Sequence, residues 1–149
     1  MINWHWQQFN ELSTATLFDI LKLRQQVFVV EQNCAYPDID ELDKTAMHLY
    51  GVNDSSLVAY LRLLPPTRNN SFTALGRIVT DQTVRGKGYG KSLVTQGIEF
   101  ADKHYASSPI KISAQVHLQE FYMSFGFKTV SSPYDEDGIM HVDMRRDHL

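Results

Sequence analysis

Three stretches of the chain repeat apolar residues at the three-and-four spacing of a helix face. These stretches are 17–28, 90–105 and 118–125. Ser13 or Thr14 is a suitable N-terminal cap for the first stretch. Gly126 follows the third stretch and is placed to end it in the left-handed conformation. The pattern therefore predicts three helices.

Shorter apolar runs between these helices predict strands. They cover residues 2–9, 48–52, 57–64, 72–80, 110–115, 127–130 and 139–144. The turn-forming residues 53–56 predict a hairpin between the second and third strands. The strand over 110–115 should pair in parallel with that over 72–80, because a helix connects them. The segments 31–43 and 131–138 are predicted loops. We predict an α/β fold in which one domain, residues 1–149, forms a mixed β-sheet flanked by α-helices.

Composition narrows the classes of protein that fit this pattern. The 149 residues carry a formal net charge of −3, which disfavours a nucleic-acid coat because such a surface is strongly basic. Cys34 is the only cysteine, so the chain can form neither an intrachain disulfide nor a zinc site of several thiolates. The sequence begins without the pattern of a signal peptide, and its apolar runs are too short to span a bilayer. We expect a cytoplasmic protein that binds neither nucleic acid nor membrane.

The segment VRGKGYGKSL, residues 84–93, has the most chemical content. It lies where a predicted strand gives way to a predicted helix, and the first amides of a helix have no acceptor within it. Together with the positive end of the helix dipole, these amides form an anion site. Three glycines allow a ligand to approach the backbone, and three basic side chains add positive charge. The segment therefore favours a phosphate ligand.

Spacing distinguishes between the known phosphate-binding motifs. A mononucleotide P-loop needs a glycine five residues before the glycine of the Gly-Lys-Ser at 90–92, and that position is Arg85. A dinucleotide fingerprint starting at Gly86 would place a lysine where a small residue is required. The pattern Q/R-x-x-G-x-G/A does fit, with Arg85, Gly88 and Gly90. In this respect the segment resembles the pyrophosphate loop of the GCN5-related N-acetyltransferases (GNAT).

The resemblance extends beyond this loop. Members of the family commonly have an amide on the fifth strand, a tyrosine seven residues later and then Gly-Phe. Gln115, Tyr122 and Gly126-Phe127 match this layout, with glutamine where asparagine is more usual. The segments LRQQVFVVEQNCAYPDID, HLQEFYMSFGF and DGIMH resemble the ElaA subfamily of acyltransferases. The likeness covers nearly the whole chain.

The resemblance implies that an amine attacks the thioester of acetyl-CoA directly, without a metal. It also implies that main-chain N–H groups at Ile78 and Val79 stabilise the oxyanion, where the fourth strand splays from the fifth. Tyr122 is the predicted proton donor to the departing thiolate, and a purely structural core tyrosine is the alternative. The implied cofactor-binding residues are Ile78, Val79, Arg85, Gly86, Lys87, Gly88, Tyr89, Gly90, Lys91 and Gln115.

The general base is less well determined by the sequence. A lysine-like amine is almost entirely protonated at pH 7 and must lose a proton before it attacks. Some relatives place a glutamate five residues before the strand-five amide, where this chain has Ile110. We predict His117 as the base because histidine ordinarily titrates near neutral pH. His141 and Glu31 are rival candidates, and a structural role for His117 is the alternative.

Charged residues are distributed unevenly along the chain. Residues 62–91 are rich in Arg and Lys with Asp81 as the only acid, whereas residues 31–43 contain five acids and no base. An anionic coenzyme would suit the first region and a cationic amine the second, and two solvated faces are the alternative. Arg24 lies on an apolar stripe, and we predict that it holds a carboxylate or carbonyl groups beneath the acceptor loop.

Three functions remain as hypotheses from the sequence. The first is a coenzyme-A-dependent N-acyltransferase acting on a small-molecule or peptide amine. The second is a binding module that keeps the cofactor loop without turnover, which the missing strand-five carboxylate favours. The third is an acyl-homoserine-lactone synthase, although its relatives usually have a tryptophan where this chain has Cys34-Ala35-Tyr36. A homodimer is left open.

Overall fold

Eight strands form one mixed sheet in the computed structural model, which describes residues 1–148. The strands are β1 (Asn3–Gln8), β2 (Met47–Asn53), β3 (Ser56–Leu64), β4 (Thr73–Thr80), β5 (Ile110–Gln115), β6 (Lys128–Thr129), β7 (Tyr134–Glu136) and β8 (Ile139–Arg146). Their order is β1-β2-β3-β4-β5-β8-β6, and β7 also pairs with β8. Within residues 1–148, β4 and β5 are the one pair of strands that run in parallel, as their connection through a helix predicted. The predicted α/β architecture is confirmed.

Three α-helices accompany the sheet. They are α1 (Thr14–Arg24), α2 (Tyr89–His104) and α3 (Gln119–Met123). Ser13 caps α1, since its hydroxyl accepts the amide of Thr16 at 3.0 Å. Beyond Arg24 the helix continues as a π-helical segment, Gln25–Glu31, which ends three residues after the predicted helix. No helix within residues 1–148 is long and apolar enough to cross a membrane.

The two faces of the sheet bury separate apolar clusters. Successive strand residues point to opposite faces, so Leu61 of β3 packs in the cluster with α2, whereas Tyr60 packs in the cluster with α1. Gly97 brings α2 close to the sheet, because a Cβ there would lie 3.0 Å from Cδ1 of Leu61. These clusters hold β4 and β5, which carry the site described below, between two helical layers.

Two predicted loops contain more structure than the pattern indicated. The segment between β6 and β8 contains β7, which forms a hairpin with β8 through a two-residue turn at Asp137 and Gly138. Both residues have positive φ, at 52° and 86°, as a type I′ turn requires. The acidic segment, residues 31–43, leads into a short 3₁₀ helix, Glu41–Lys44, which Asp40 caps through its carboxylate.

Three arginines and three aspartates form a closed ring of ion pairs beneath the acidic segment. Arg24 lies 2.9 Å from Asp38 and 2.7 Å from Asp43. The remaining contacts are Arg62–Asp43 at 3.0 Å, Arg62–Asp40 at 2.7 Å, Arg77–Asp38 at 2.8 Å and Arg77–Asp40 at 3.6 Å. Arg24 is fully buried, and its Nη2 also donates to the carbonyl oxygen of Asp38. The predicted structural role of Arg24 is confirmed.

This ring corrects the expected separation of charge along the chain. Arg62 and Arg77 were assigned to a coenzyme-binding region, yet they contact the very aspartates that were assigned to an amine-binding region. The same holds for Arg85, which pairs with Glu31 at 2.6 Å. Spacing along the chain did not predict these contacts, because β3 and β4 run directly beneath the acidic segment.

A buried histidine, His48, is hydrogen-bonded to the main chain of one aspartate of the ring. Nε2 of His48 donates to the carbonyl oxygen of Asp43 at 2.8 Å, so Nδ1 is left to accept the hydroxyl of Tyr60 at 2.6 Å. Burial lowers the pKa of His48. Burial alone would raise the pKa of Asp43, but hydrogen bonds from Arg24 and the Asp40 main chain lower it overall.

Replacing Arg24 with methionine should lower the free energy of unfolding by about 3 kcal/mol. This is the low end of the usual range for breaking a buried ion pair, because Asp38 and Asp43 keep Arg77 and Arg62 as partners. Urea denaturation measures the change. Arg68→Met, at an exposed arginine, is the control and should change stability by less than about 0.5 kcal/mol. Equal losses in the two variants would contradict the role of the ring.

Stability should fall in two steps as the pH is lowered. The unfolded chain protonates His48 at its ordinary pKa of 6.5 while the folded chain resists protonation, so stability declines below about that pH. The lowered pKa of Asp43 gives stability that is present above about pH 4 and is lost as the pH falls further. Urea unfolding from pH 8 to pH 3 measures both steps. His48→Gln should remove the first step and keep the second, and an unchanged profile would refute this assignment.

Candidate functional site

A bulge in β4 sets the geometry of the site. Tyr60 pairs with Val79 and Arg62 with Gly76, so two residues of β4, Arg77 and Ile78, oppose the single Leu61. Arg77 has a φ of 51°, in the left-handed region that residues with a Cβ rarely adopt. Such a conformation costs on the order of 1 kcal/mol. The ion pair of Arg77 with Asp38 holds it in place.

β4 and β5 diverge after their first two paired positions. Thr73 pairs with Ile110 and Ala74 with Lys111, and no further pairs connect the two strands in the described residues. Between their diverging halves lies a cleft of about 310 Å³. Its walls are 75–78 of β4, 112–115 of β5, parts of 28–36 after α1, and the β7–β8 hairpin. The predicted splaying of the two strands is therefore present.

The glycine-rich segment connects β4 to α2. Gly86 and Gly88 have φ values of 81° and 83°, and Gly88 is the residue before the first turn of α2. The first hydrogen bond of the helix runs from the amide of Ser92 to the carbonyl oxygen of Gly88. Within the described residues the amides from 86 to 91 have no acceptor, and nothing lies within 4 Å of a Cβ built on Gly86, Gly88 or Gly90. The loop is open for an anion.

Arg85 stands at the start of this loop and contacts the end of the π-helical segment. Its guanidinium donates to both carboxylate oxygens of Glu31, at 2.6 and 3.1 Å, and to the carbonyl oxygen of Thr80. Glu31 ends the π-helical segment, and the next residue, Gln32, lines the cleft. The pair thus connects the glycine-rich loop to one wall of the cleft.

Three of the residues predicted for the site line the cleft together. Ile78, Gln115 and Tyr122 all contribute to its walls. Nε2 of Gln115 lies 3.5 Å from Oε1 of Gln32. Tyr122 is buried, and burial raises its pKa to about 12. Val79 lies instead in the core with Tyr60, so only its main chain can serve the site.

The three candidate bases occupy different places. His117 lies in the short 3₁₀ segment after β5, is exposed, and is not among the residues that line the cleft. Glu31 is held by Arg85. His141 of β8 is buried, lines the cleft, and lies 3.4 Å from Glu136.

Sequence reasoning missed Glu136, because β7 was predicted as part of a polar loop. The signal was present: Asp137-Gly138 is a typical two-residue hairpin turn, and Ile139 begins a predicted strand directly after it. The hairpin places Glu136 beside His141. Within the described residues, no three His, Cys, Asp or Glu side chains are grouped as metal ligands.

The chain matches an acetyltransferase family model over most of its length and is similar to curated proteins along nearly all of it. A family model described as an acetyltransferase (GNAT) domain matches residues 20–148. A UPF0039 protein of Synechocystis is 46% identical over 96% of this chain and 94% of that protein. The protein ElaA of Escherichia coli is 41% identical over 99% of this chain and 97% of that protein.

Solved structures agree with these sequence relatives. An acyl-CoA N-acyltransferase from Pseudomonas aeruginosa, 38% identical, matches with a TM-score of 0.94 over 98% of this chain and 99% of that chain. The crystal structure of ElaA from Escherichia coli, 40% identical, matches with a TM-score of 0.93 over 99% of this chain and all of that one.

Proposed function

Since the chain belongs to the GNAT acetyltransferase family and to its ElaA-like members, we propose that it transfers an acetyl group from acetyl-CoA to a primary amine. Membership of the family supports acyl-CoA N-acyltransferase activity in general. The finer proposal rests on the cleft between β4 and β5 and on the loop of unpaired amides that connects β4 to α2. The amine attacks within a complex that contains both substrates.

The glycine-rich loop is the proposed site for the diphosphate of coenzyme A. The amides from Gly86 to Lys91 supply donors, and the exposed side chains of Lys87 and Lys91 supply positive charge. Arg85 contributes a further cation at the loop entrance. The acyl-bearing arm of the coenzyme would then enter the space between the diverging strands, where Ile78 and Gln115 form opposite walls.

The bulge supplies the proposed oxyanion site. Main-chain N–H groups of Ile78 and Val79 lie where β4 leaves the register of β3 and separates from β5. An N–H donor aimed at the developing oxyanion typically contributes about 3–4 kcal/mol to stabilising the transition state. This contribution comes from the main chain, so it is compatible with the burial of the Val79 side chain.

Tyr122 is the proposed donor to the departing sulfur. Its raised pKa keeps the phenol protonated throughout the neutral range, which is the form that can donate. A phenol with this pKa is a weaker acid than a thiol. Tyr122 therefore donates its proton to the sulfur only if its own oxygen receives another proton in the same step. His117 stays a prediction for the base, and from its exposed position it would have to act at the rim of the cleft.

A free-thiol release assay with acetyl-CoA tests the proposed activity. The amine panel contains polyamines, amino acids, aminoglycosides and peptides, and we expect thiol release that depends on at least one of these amines. Calorimetry with acetyl-CoA alone runs beside it. Binding without thiol release across the panel would select a binding module instead of an enzyme, and absence of both would refute the proposal.

Gly88→Glu should weaken the binding of acetyl-CoA by about 100-fold or more. The carboxylate would meet the diphosphate, and like charges in contact cost several kcal/mol. Gly126→Glu is a matched control, because Gly126 also has a positive φ, 93°, and a Cβ there would meet nothing closer than 3.6 Å, but it lies outside both the loop and the cleft. Calorimetric titration of both variants with acetyl-CoA measures the difference. Unchanged affinity in Gly88→Glu would contradict the loop assignment.

Tyr122→Phe should lower kcat by about 100-fold while the KM for acetyl-CoA changes little, because the hydroxyl acts on the departing sulfur. Tyr105→Phe serves as the control, since Tyr105 packs against Phe100 away from the cleft. Steady-state thiol release at saturating substrate measures both. Wild-type turnover in the Tyr122 variant would show that this tyrosine is only part of the core.

A further inference from the structure

One wall of the cleft carries a histidine and a glutamate whose roles are not explained by the cofactor. His141 is buried on β8 opposite Tyr134 of β7, and the side chain of Glu136, two residues further along β7, reaches it diagonally. Nδ1 of His141 is 2.7 Å from the carbonyl oxygen of Ile139. A carbonyl oxygen can only accept, so Nδ1 carries the proton and Nε2 of the neutral ring carries the lone pair.

That lone pair faces a carboxylate. Nε2 of His141 lies 3.4 Å from Oε2 of Glu136, so in the neutral ring two acceptors oppose each other with no hydrogen between them. Oε2 of Glu136 accepts a hydrogen bond from the hydroxyl of Ser113 at 3.4 Å, and a proton or a cationic N–H donor between Nε2 and Oε2 would satisfy both facing acceptors. A protonated primary amine brings three N–H donors and a positive charge.

The neighbours of His141 on its own wall add negative charge. Tyr134 of β7 stacks on the imidazole with 6.2 Å between ring centroids, and its hydroxyl donates to Asp143 at 2.7 Å. On the adjacent β5 the neighbouring side chains, Ser113 and Gln115, are uncharged.

The other side of the cleft does not offset this charge. Arg77 is the only arginine or lysine among the cleft-lining residues of the described chain, and Asp38 neutralises it at 2.8 Å. Cys34 and Tyr36 also line this side, and they donate hydrogen bonds to the carbonyl oxygen of Asp137 and to the carboxylate of Asp38, respectively. The lining residues therefore carry an excess of acid, in Glu136 and Asp137.

We propose that Glu136 and His141 together form the site for the acceptor amine. The carboxylate of Glu136 holds the ammonium group, and Nε2 of His141 removes its proton. The substrate class is a cationic primary amine with no carboxylate next to the amino group, because a second anion would be repelled by Glu136 and Asp137. This inference rests on the function proposed above and assigns the base that the sequence left open.

The proposed step balances as follows. One proton of the ammonium passes to Nε2 of His141, which becomes an imidazolium beside Glu136. The freed lone pair forms the N–C bond, and the C–S bond breaks when the tetrahedral intermediate collapses. The second nitrogen proton is lost in that collapse while sulfur gains one through Tyr122. The products are the amide, the thiol of coenzyme A and one proton released from His141.

Kinetics of four variants test the two roles separately. His141→Gln should lower kcat by about 100-fold and remove the ionisation on the acidic side of the pH–rate profile. Glu136→Gln should raise the KM for the amine by about 10- to 100-fold with little change in kcat. Asp135→Asn, at an exposed neighbour on β7, is the control and should behave as wild type. His117→Asn tests the rival base: loss of the acidic-side ionisation in this variant, but not in His141→Gln, would assign the base to His117 and overturn the proposal.

The amine class is tested with pairs of amines that differ in one group. Alaninamide should be a better acceptor than alanine, and cadaverine better than 5-aminopentan-1-ol, which lacks the second positive charge. Wild-type kinetics in His141→Gln, or equal use of alanine and alaninamide, would overturn the proposal while leaving the acetyltransferase function intact.

A binding measurement keeps the inference testable without turnover. Calorimetry of cadaverine and alaninamide with the protein saturated in coenzyme A should give at least tenfold weaker binding in Glu136→Gln than in the wild type, with acetyl-CoA affinity unchanged. If neither amine binds the wild type more tightly than this variant, the amine site is refuted. If the amines bind as expected but no thiol is released, the amine site stands and the proposed transferase activity fails.

Discussion

The structure depends on a closed ring of charges in which three guanidinium groups alternate with three carboxylates. Each arginine contacts two aspartates and each aspartate contacts two arginines, so no member can be removed without leaving a charge short of a partner. Removing ions from water costs free energy. The ion pairs that the aspartates form with arginines of α1, β3 and β4 offset this cost. It thereby fixes the acidic segment, which has little regular structure, against the sheet.

The ring and the bulge in β4 constrain each other. Arg77 belongs to both: its main chain takes the left-handed conformation of the bulge, and its side chain closes the ring through Asp38. The bulge turns β4 away from β5, and the acidic segment covers the resulting opening with Cys34 and Tyr36. One cleft wall is thus positioned by interactions between residues almost forty positions apart in the chain.

The amino-acid pattern was a sound guide where local physics decides the structure. Helix α2, strand β5 and the hairpin at residues 53–56 follow from periodicity and turn chemistry, and all are present. The buried role of Arg24 could also be predicted, because a charge on an apolar stripe needs a partner. The pattern did not show which charges meet in space, and it therefore suggested a separation that the ring abolishes. Strand β7 was missed because three polar residues give no usable alternation, and the pairing of Glu136 with His141 was missed with it.

The single cysteine connects two walls of the cleft that are distant in sequence. Sγ of Cys34 donates to the carbonyl oxygen of Asp137 at 3.1 Å, joining the acidic segment to the β7–β8 turn. Any group attached covalently to this sulfur would replace that bond and take up part of the 310 Å³ between the walls. With no other thiol in the chain, a sulfhydryl reagent or a fluorescent label would report on one location alone. The rate at which such a reagent reacts with Cys34 would measure how much of the cleft is occupied by a bound molecule.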